Sequence, residues 1–459
     1  MEEILSKVKA IHLVGIGGIG MSGLALLLKE REFIVSGSDV KDGYNVKKCK
    51  EAGIKVAIGH HPKNVEGVDL VCFSSAIRED NVEIQEAKKK ALPVVQRAQL
   101  LACISQGKKT VAVTGSHGKT TTTSLLGFAL SALGHNPAVF VGGIPLNHSQ
   151  HAWWGEEYFV IEADESDGSF LYYEPEVSII TNIDFEHMDY YKDIGQLETS
   201  FSKFARNAKG IVIGCGDDKR VKALLSDVPA LTYGFLKENR VRAQGVTLNG
   251  EHTKFDLIID DFSETVMIPL LGEHNVLNAL AVFSFFFYLG EDLKKVAMVL
   301  RGFKGTKRRW EIKARLRGVT FIEDYAHHPT EIEAVLKSAR TLSPKRLLVI
   351  FEPHRFSRIQ LLCERFSRCF SLADEVIVTD IYSAFEEKIE EINEKFLLLQ
   401  IEKNFNGKAC YIPKAKLAEE VPSCLEDGDI VLGLGAGEMT TLMEGIVNGF
   451  KEHRAKTEC

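Results

Sequence analysis

Short apolar runs that stop at glycine or acidic residues recur along the chain, separated by stretches with apolar residues at helical spacing. IHLVGIGGIG (11–20) passes from an apolar run through glycines into MSGLALLLKE, which predicts a strand, a tight turn and a helix. FIVSGSD predicts a second strand ending at Asp39, VDLVCFSSAI (68–77) another, and LPVVQRAQLLACI (92–104) closes this segment before the polar break SQGKK (105–109). A second segment starts with TVAVTG and continues through the predicted strands YFVIEA (158–163), VSIITNI (177–183) and GIVIGCGDD (210–218). LNGEHTKFDLIIDDF (248–262) alternates polar and apolar residues and predicts an antiparallel hairpin, and GEHNVLNALAVFSFFFYLG predicts a helix entered through a polar corner at Glu273–Asn275. A third segment begins near residue 313, where GVTFIEDYAHHPTEIEAVLKSA reads as strand, polar loop and helix with Pro329 near its start. LLVIFEPHRFSR, EVIVTDIYS and DIVLGLGAGEMTTL repeat the theme. Strands alternating with helices predict parallel, doubly wound α/β sheets, whose ligands sit beyond the carboxyl ends of the strands. That is where this chain concentrates its His, Arg, Asp and Glu.

Size and composition narrow the picture. The 459 residues suggest about three domains. A hydrophobic content of 45% and a charged content of 26% are those of a globular protein. The net charge of -7 argues against a nucleic-acid partner, which calls for a basic face. MEEILSKVKA lacks the apolar core of a signal peptide, and ALAVFSFFFYLG (279–290) is shorter than the roughly 20 residues that span a bilayer, so no membrane association is expected. Nine scattered cysteines without a CxxC pair fit neither a disulfide framework nor a zinc site, and point to a reducing cytoplasm.

Candidate chemistry lies in the loops. VGIGGIGMSG (14–23) is nearly a dinucleotide fingerprint: Gly15, Gly17 and Gly20 let backbone amides approach a diphosphate, and Asp39 lies where a ribose-binding acid is expected. The loop leaves NAD and a UDP-sugar as alternatives. In TGSHGKTTTTS the spacing between Gly115 and Gly118 is shorter than in a standard P-loop, but the groups needed are present. Lys119 can reach β- and γ-phosphates, Thr120 can ligate Mg²⁺, and the helix start supplies amides. EADESDGSF (162–170) clusters Glu162, Asp164, Glu165 and Asp167, and TNIDFEHMDYY (181–191) brings Asp184, Glu186, His187 and Asp189 to the end of a neighbouring strand. Acids beside a phosphate loop suit Mg²⁺. KGTKRRWE (304–311) holds Arg309, placed to offset charge developing on a γ-phosphate, while DYAHHPTEI (324–332) and EPHRFSR (352–358) gather His, Asp and Arg, with Arg355 and Arg358 spaced to clamp a carboxylate.

The shortened loop G-x-H-G-K-T-T resembles the ATP-binding loop of the Mur ligases, the amino-acid-adding enzymes of bacterial peptidoglycan synthesis. GIGGIGMSGLA, IGHHPKNVEGVDLVCFSSAI, PVVQRAQLL, EADESDGSF, NIDFEHMDYY, GEHNVLNALA, KGTKRRWE, DYAHHPTEI and EPHRFSR follow in the same order and are most similar to the branch that joins L-alanine to UDP-N-acetylmuramate. The resemblance implies an α/β chain of three domains. These are a Rossmann-like N-terminal domain (1–107) for the UDP-sugar, a central P-loop ATPase-like domain (108–312) for ATP, and a C-terminal Rossmann-like domain (313–459) for the amino acid.

It further implies ATP and Mg²⁺ as cofactors, with Gly115, Ser116, His117, Gly118, Lys119, Thr120 and Thr121 on the phosphates and Thr120, Glu162 and His187 on the metal. Asn275, Arg309, Asp324 and Tyr325 become ATP contacts. Gly17, Gly18, His60, His61, Ser74 and Ser75 become uridine-nucleotide contacts, and Arg355 and Arg358 substrate contacts. Lys119, Glu162, His187, Arg309 and His328, the last as general base, make up the expected catalytic set. A cytoplasmic monomer or weak homodimer is expected. Ser116 stands where Thr is common, and NIDFEHMD departs from the usual run before His187; Lys203 is the counterpart this chain offers to a modified lysine of the family. A ligase attaching a tripeptide to the same sugar nucleotide is the nearest alternative reading. A nicotinamide-dependent dehydrogenase would leave TGSHGKTTTT without a role.

Overall fold

The computed structural model describes residues 5, 7–250, 252–384 and 386–457. Among them the strands form three sheets. The first holds β1 (Ala10–Val14), β2 (Ile34–Asp39), β3 (Lys55–Ile58), β4 (Leu70–Phe73) and β5 (Val94–Gln96) in the order β3-β2-β1-β4-β5. All of its pairings are parallel. β1 is buried throughout because sheet neighbours flank it and helices pack on the sheet, which is why it reads as an apolar run broken only by His12.

The second sheet holds β6 (Lys109–Thr114), β7 (Ala138–Phe140), β8 (Ala152–Trp153), β9 (Tyr158–Glu162), β10 (Val177–Ile180), β11 (Ile211–Cys215), β12 (Ala230–Gly234), β13 (Val241–Asn249), β14 (His252–Ile259) and β15 (Phe262–Ile268). Its order is β15-β14-β13-β12-β11-β10-β6-β9-β7-β8. The strand entering the phosphate loop, β6, therefore lies between β9 and β10, whose carboxyl ends carry the two acidic clusters. Beyond the expected hairpin, β15 extends the meander and β12 links it to the parallel part.

The third sheet contains β16 (Glu311–Leu316), β17 (Val319–Asp324), β18 (Arg346–Phe351), β19 (Glu375–Val378), β20 (Lys408–Tyr411) and β21 (Asp429–Leu434), ordered β16-β17-β21-β18-β19-β20. Only the edge strand β16 runs antiparallel, joined to β17 by a short turn at Gly318 with φ +74. The chain divides into two compact units. One comprises residues 1–245, 255–267 and 277–304, and the other residues 246–254, 268–276 and 305–459. In the first, apolar residues of the helix Ile19–Glu30 join those of β1, β4, β9 and the helix Ile194–Arg206 in a continuous core. In the second, β17, β18 and β21 pack against the long terminal helix through Met439, Met443, Ile446 and Phe450. No helix among the described residues is long and apolar enough to cross a membrane.

Candidate active site

Three loops at the carboxyl end of the first sheet converge. Gly15 N–H and Ile16 N–H donate to Ser38 O at 2.9 and 3.0 Å, which ties the glycine turn to the end of β2. Asp39 accepts from Gly17 N–H at 2.8 Å and from Lys41 N–H at 3.1 Å. The residue whose spacing suggested a ribose-binding acid thus fastens the turn, and a Cβ on Gly17 would lie 2.8 Å from its carboxylate oxygen. Ser74 follows β4 and lies beside Gly15, with its Oγ accepting from Ala76 N–H at 3.3 Å. Ser75, next in the chain, is exposed, as is Gly18, the uncapped start of the helix Ile19–Glu30. His60 Nδ1 meets Ser38 Oγ at 3.1 Å. His61 turns its ring to its own chain and accepts from Lys63 N–H.

The second sheet builds the phosphate loop. Gly115 has φ +132, and a Cβ there would land on Thr181 Oγ1; Gly118 has φ +84, and its Cβ would lie 2.5 Å from Asn278 Oδ1. Only glycine reconciles these torsions and approaches. Ser116 N–H and His117 N–H donate to Asn182 at 3.0 and 2.8 Å, so these two amides fasten the loop to the end of β10. Ser116 Oγ accepts from Asp184 N–H, and His117 Nε2 meets Asp184 at 3.1 Å. The helix Lys119–Ala132 starts with no side chain capping it, so its first turn keeps amides and a positive dipole end for an anion. Thr121 is buried in that first turn.

Around that helix start, charge is paired at close range. Lys119 Nζ donates to Gly115 O at 2.7 Å and forms an ion pair with Glu165, whose side chain is fully buried. Burial works against the Lys119 charge, but Glu165 and Asp164 outweigh it and raise the pKa. Thr120 Oγ1 donates to Glu162 at 2.9 Å, and the other Glu162 oxygen accepts from Gly142 N–H at 2.6 Å. Burial raises the Glu162 pKa. Asp164 moves the other way: burial opposes its charge, yet Lys119 and His187 keep it ionised. His187 sits at φ 60, a left-handed conformation uncommon for non-glycine residues, and its Nε2 lies 3.4 Å from Glu165. Against burial, Glu165 and Glu186 raise its pKa. Hydroxyl and carboxylate oxygens gathered beside an uncapped helix N-terminus and a lysine fit a phosphate chain with a hard divalent cation. Lys203 is exposed in the last turn of the helix Ile194–Arg206.

In the other unit, the residues after β17 form a compact cluster. Asp324 accepts from Trp310 N–H at 2.7 Å and Ala326 N–H at 2.8 Å, and burial pushes its pKa up to about 6 although Arg309 opposes this. Arg309 lies over the Tyr325 ring, 4.9 Å from its centroid, and 3.8 Å from Glu331. Asn275 donates to Leu271 O at 2.9 Å. His328 is fully buried and caps the helix Pro329–Arg340, with Nδ1 accepting from Thr330 N–H. Its ring therefore serves a structural task at the helix start. Arg358 meets His354 Nδ1 at 2.8 Å, and Arg355, at φ 67, lies 3.7 Å from Glu386.

A diphosphate-type glycine turn on one parallel sheet and a phosphate loop between acid-tipped strands on the next are the parts of a nucleotide-using α/β enzyme. Residues 10–109 match the Mur ligase family catalytic domain, residues 113–285 the Mur ligase middle domain, and residues 308–437 the Mur ligase glutamate ligase domain. The chain belongs to the Mur ligase family. It is 42% identical over 446 residues to a UDP-N-acetylmuramate–L-alanine ligase of Desulfotalea psychrophila, covering 95% of this chain and 97% of that one. A protein of the same name from Paramagnetospirillum magneticum is 39% identical, with 96% of each chain covered. Among solved structures, UDP-N-acetylmuramate-alanine ligase MurC from Thermotoga maritima superposes with a TM-score of 0.83 at 29% identity, covering 97% of this chain and 99% of that one. A murein peptide ligase from Psychrobacter arcticus shares the fold, with a TM-score of 0.71 at 23% identity over 96% and 98% of the chains.

Proposed function

We propose that the protein is an ATP-dependent ligase that joins L-alanine to the lactyl carboxylate of UDP-N-acetylmuramate in peptidoglycan precursor synthesis, in the cytoplasm. The observation that carries the reading is Lys119 and Thr120 at an uncapped helix start, set against Glu162 and Glu165. The near-full-length relatives that bear this activity in their names supply the choice of substrates. The proposed division of labour is UDP-sugar on residues 1–107, ATP on 108–312 and amino acid on 313–459.

A carboxylate is a poor acyl donor, so it must first be activated. Its oxygen attacks the γ-phosphorus of ATP, the bond to the β-phosphate bridge breaks, and an acyl phosphate and ADP result. The ammonium group of L-alanine passes a proton to a base, a role we assign to His328; the freed amine attacks the acyl carbon, the bond to phosphate breaks, and inorganic phosphate leaves. Two anions must meet in the first step, and Lys119 with the helix amides offsets their repulsion. Thr120, Glu162 and His187 would hold Mg²⁺, which when bound supplies further charge neutralisation at the phosphates. We assign Asn275, Arg309, Asp324 and Tyr325 to the nucleotide and Arg355 and Arg358 to a substrate carboxylate.

Phosphate release from Mg-ATP tests the reading directly. Tubes contain UDP-N-acetylmuramate with L-alanine, glycine, L-serine, a tripeptide or no acceptor. Release that requires both the sugar nucleotide and L-alanine is expected. Release with the tripeptide alone would move the chain to the peptide-recycling branch, and turnover indifferent to the sugar nucleotide would sink the ligase reading.

A further inference from the structure

Glu83, near the start of the helix Val82–Lys89, has a fully buried side chain. An ionised carboxylate in such a place must be accounted for by its donors. One oxygen accepts from Ser38 Oγ at 2.5 Å and from His60 Nδ1 at 3.0 Å. The other accepts from Asn64 Nδ2 at 2.5 Å and from His61 N–H at 3.2 Å. His12 Nε2, on β1, stands 3.7 Å away. Burial opposes the charge, but His12, Ser38 and Asn64 hold the pKa down to about 2.

Two of these donors lie at the ligand-binding end of the sheet. Ser38 accepts the glycine-turn amides on its carbonyl while its hydroxyl is held by Glu83. His60 follows Gly59, whose N–H donates to Asp39 O, and so stands beyond the carboxyl ends of β2 and β3. Its side chain is 16% exposed. A carboxylate only accepts, so it fixes the proton of the neutral ring on Nδ1 and leaves Nε2 as the atom for a ligand. We propose that Glu83 is a positioning residue for the nucleotide-sugar: it sets the orientation and tautomer of His60, whose Nε2 meets the UDP portion. The inference rests on the UDP-sugar reading above. A glutamine at position 83 keeps the volume but can present an amide N–H to the ring and reverse the tautomer.

The test uses the full chain. Steady-state kinetics are measured for Glu83→Gln, His60→Gln and the double variant, together with imidazole ¹⁵N spectra at pH 8 with and without UDP. The expected result is a KM for UDP-N-acetylmuramate raised about tenfold by Glu83→Gln, as for loss of a charge-assisted hydrogen bond, with kcat moving less than twofold and the KM values for ATP and L-alanine constant. Glu83→Gln should add no further loss in the His60→Gln background. Loss of kcat and all three KM values together, additive losses, or an unchanged KM would overturn the proposal. The wild-type spectra decide the matter even when Glu83→Gln folds poorly: Nδ1 protonated and Nε2 shifted by UDP supports it, and either the reverse tautomer or an Nε2 indifferent to UDP refutes it. Wild-type protein that binds no UDP-N-acetylmuramate would remove the functional reading and this inference together; binding with an unaffected His60 removes only the inference.

Discussion

Lys119→Met separates the structural task of the loop lysine from its chemical one. The methionine keeps the length and apolar stem but removes the cation. What remains is Glu165 with a fully buried side chain, beside Asp164 and Glu162, with His187 as the nearby basic partner. Removing one partner of a buried pair destabilises by about 3–5 kcal/mol, because the other charge is left uncompensated. The Lys119 side chain is itself 13% exposed, and Glu162 is already inclined to hold a proton, so the lower end, about 3 kcal/mol at neutral pH, is expected. Without the lysine the folded-state pKa values of these acids rise above their unfolded values. The variant therefore regains stability relative to wild type as pH falls and loses it as pH rises.

Trp153 and Trp154 lie in the first unit and Trp310 in the second, so urea unfolding followed by fluorescence in a Trp310→Phe background reports the unit that holds Lys119. The chain has two compact units, so this transition is fitted separately. Adding Glu165→Gln to Lys119→Met should recover most of the lost stability, while Glu165→Gln alone leaves the Lys119 ammonium without the carboxylate it pairs with. The folded Lys119→Met protein should bind UDP-N-acetylmuramate as wild type does and release no phosphate. A variant as stable as wild type across pH would refute the buried-charge argument, and loss of UDP-sugar binding by a well-folded variant would refute the division of labour.

Other expectations follow from the same geometry. Gly115→Ala should destabilise the first unit by about 3 kcal/mol, from a strained torsion and from displacing Thr181, whose hydroxyl bonds Thr114 O and His117 O; urea unfolding with an intact midpoint would contradict this. Thr120→Val keeps the volume and should lower Mg²⁺-dependent phosphate release on the order of a hundredfold with UDP-sugar affinity unchanged, checked by release assay and calorimetry. Asp324 and His274 should tilt stability in opposite directions with pH. The Asp324 pKa lies above its unfolded value, so its contribution is full below pH 3.8 and lost as pH rises through about 6. Burial and Arg309 lower the His274 pKa to about 4, so its contribution is full above pH 6.5 and lost as pH falls toward 4. Relative to wild type, Asp324→Asn should therefore make the slope of stability against pH between 4 and 6 more positive, and His274→Gln should make it less positive; parallel curves for all three proteins would refute both assignments.

What the sequence disclosed depended on how far apart in the chain the interacting residues lie. β1, β6 and β9 are apolar runs that end in the residues they present, so the strand, its polar tip and the following helix could all be read within about twenty residues. Lys119 and Thr120 were legible for the same reason. β8, only Ala152–Trp153, and the edge strand β20, Lys408–Tyr411, are too short or too exposed to carry a periodic signal. Glu83 lies in the charged stretch NVEIQEAKKK with no local pattern to mark it, because its partners Ser38, His60 and Asn64 come from other elements. Asp39 carries a task its spacing does not disclose: besides standing at the ribose-type position, its carboxylate accepts Gly17 N–H.

The shortened phosphate loop shows what such distant partners accomplish. Asn182 takes the Ser116 and His117 amides from the end of β10, and Asn278 packs its Oδ1 against Gly118 while accepting from Thr122. A loop with two residues between its glycines has little backbone of its own with which to fold into a cradle. Contacts from 65 and 156 positions away hold it instead. The glycine at 118 is thus explained twice, by its positive φ and by the asparagine that occupies the space where a side chain would begin. Replacing Asn278 with leucine would remove the bond to Thr122 and press an apolar branch onto Gly118. The loop should then lose ATP affinity while Lys119 and Thr120 remain in the sequence, an outcome that ATP titration of the folded variant can read. Unchanged affinity would mean that the short loop holds its shape without Asn278.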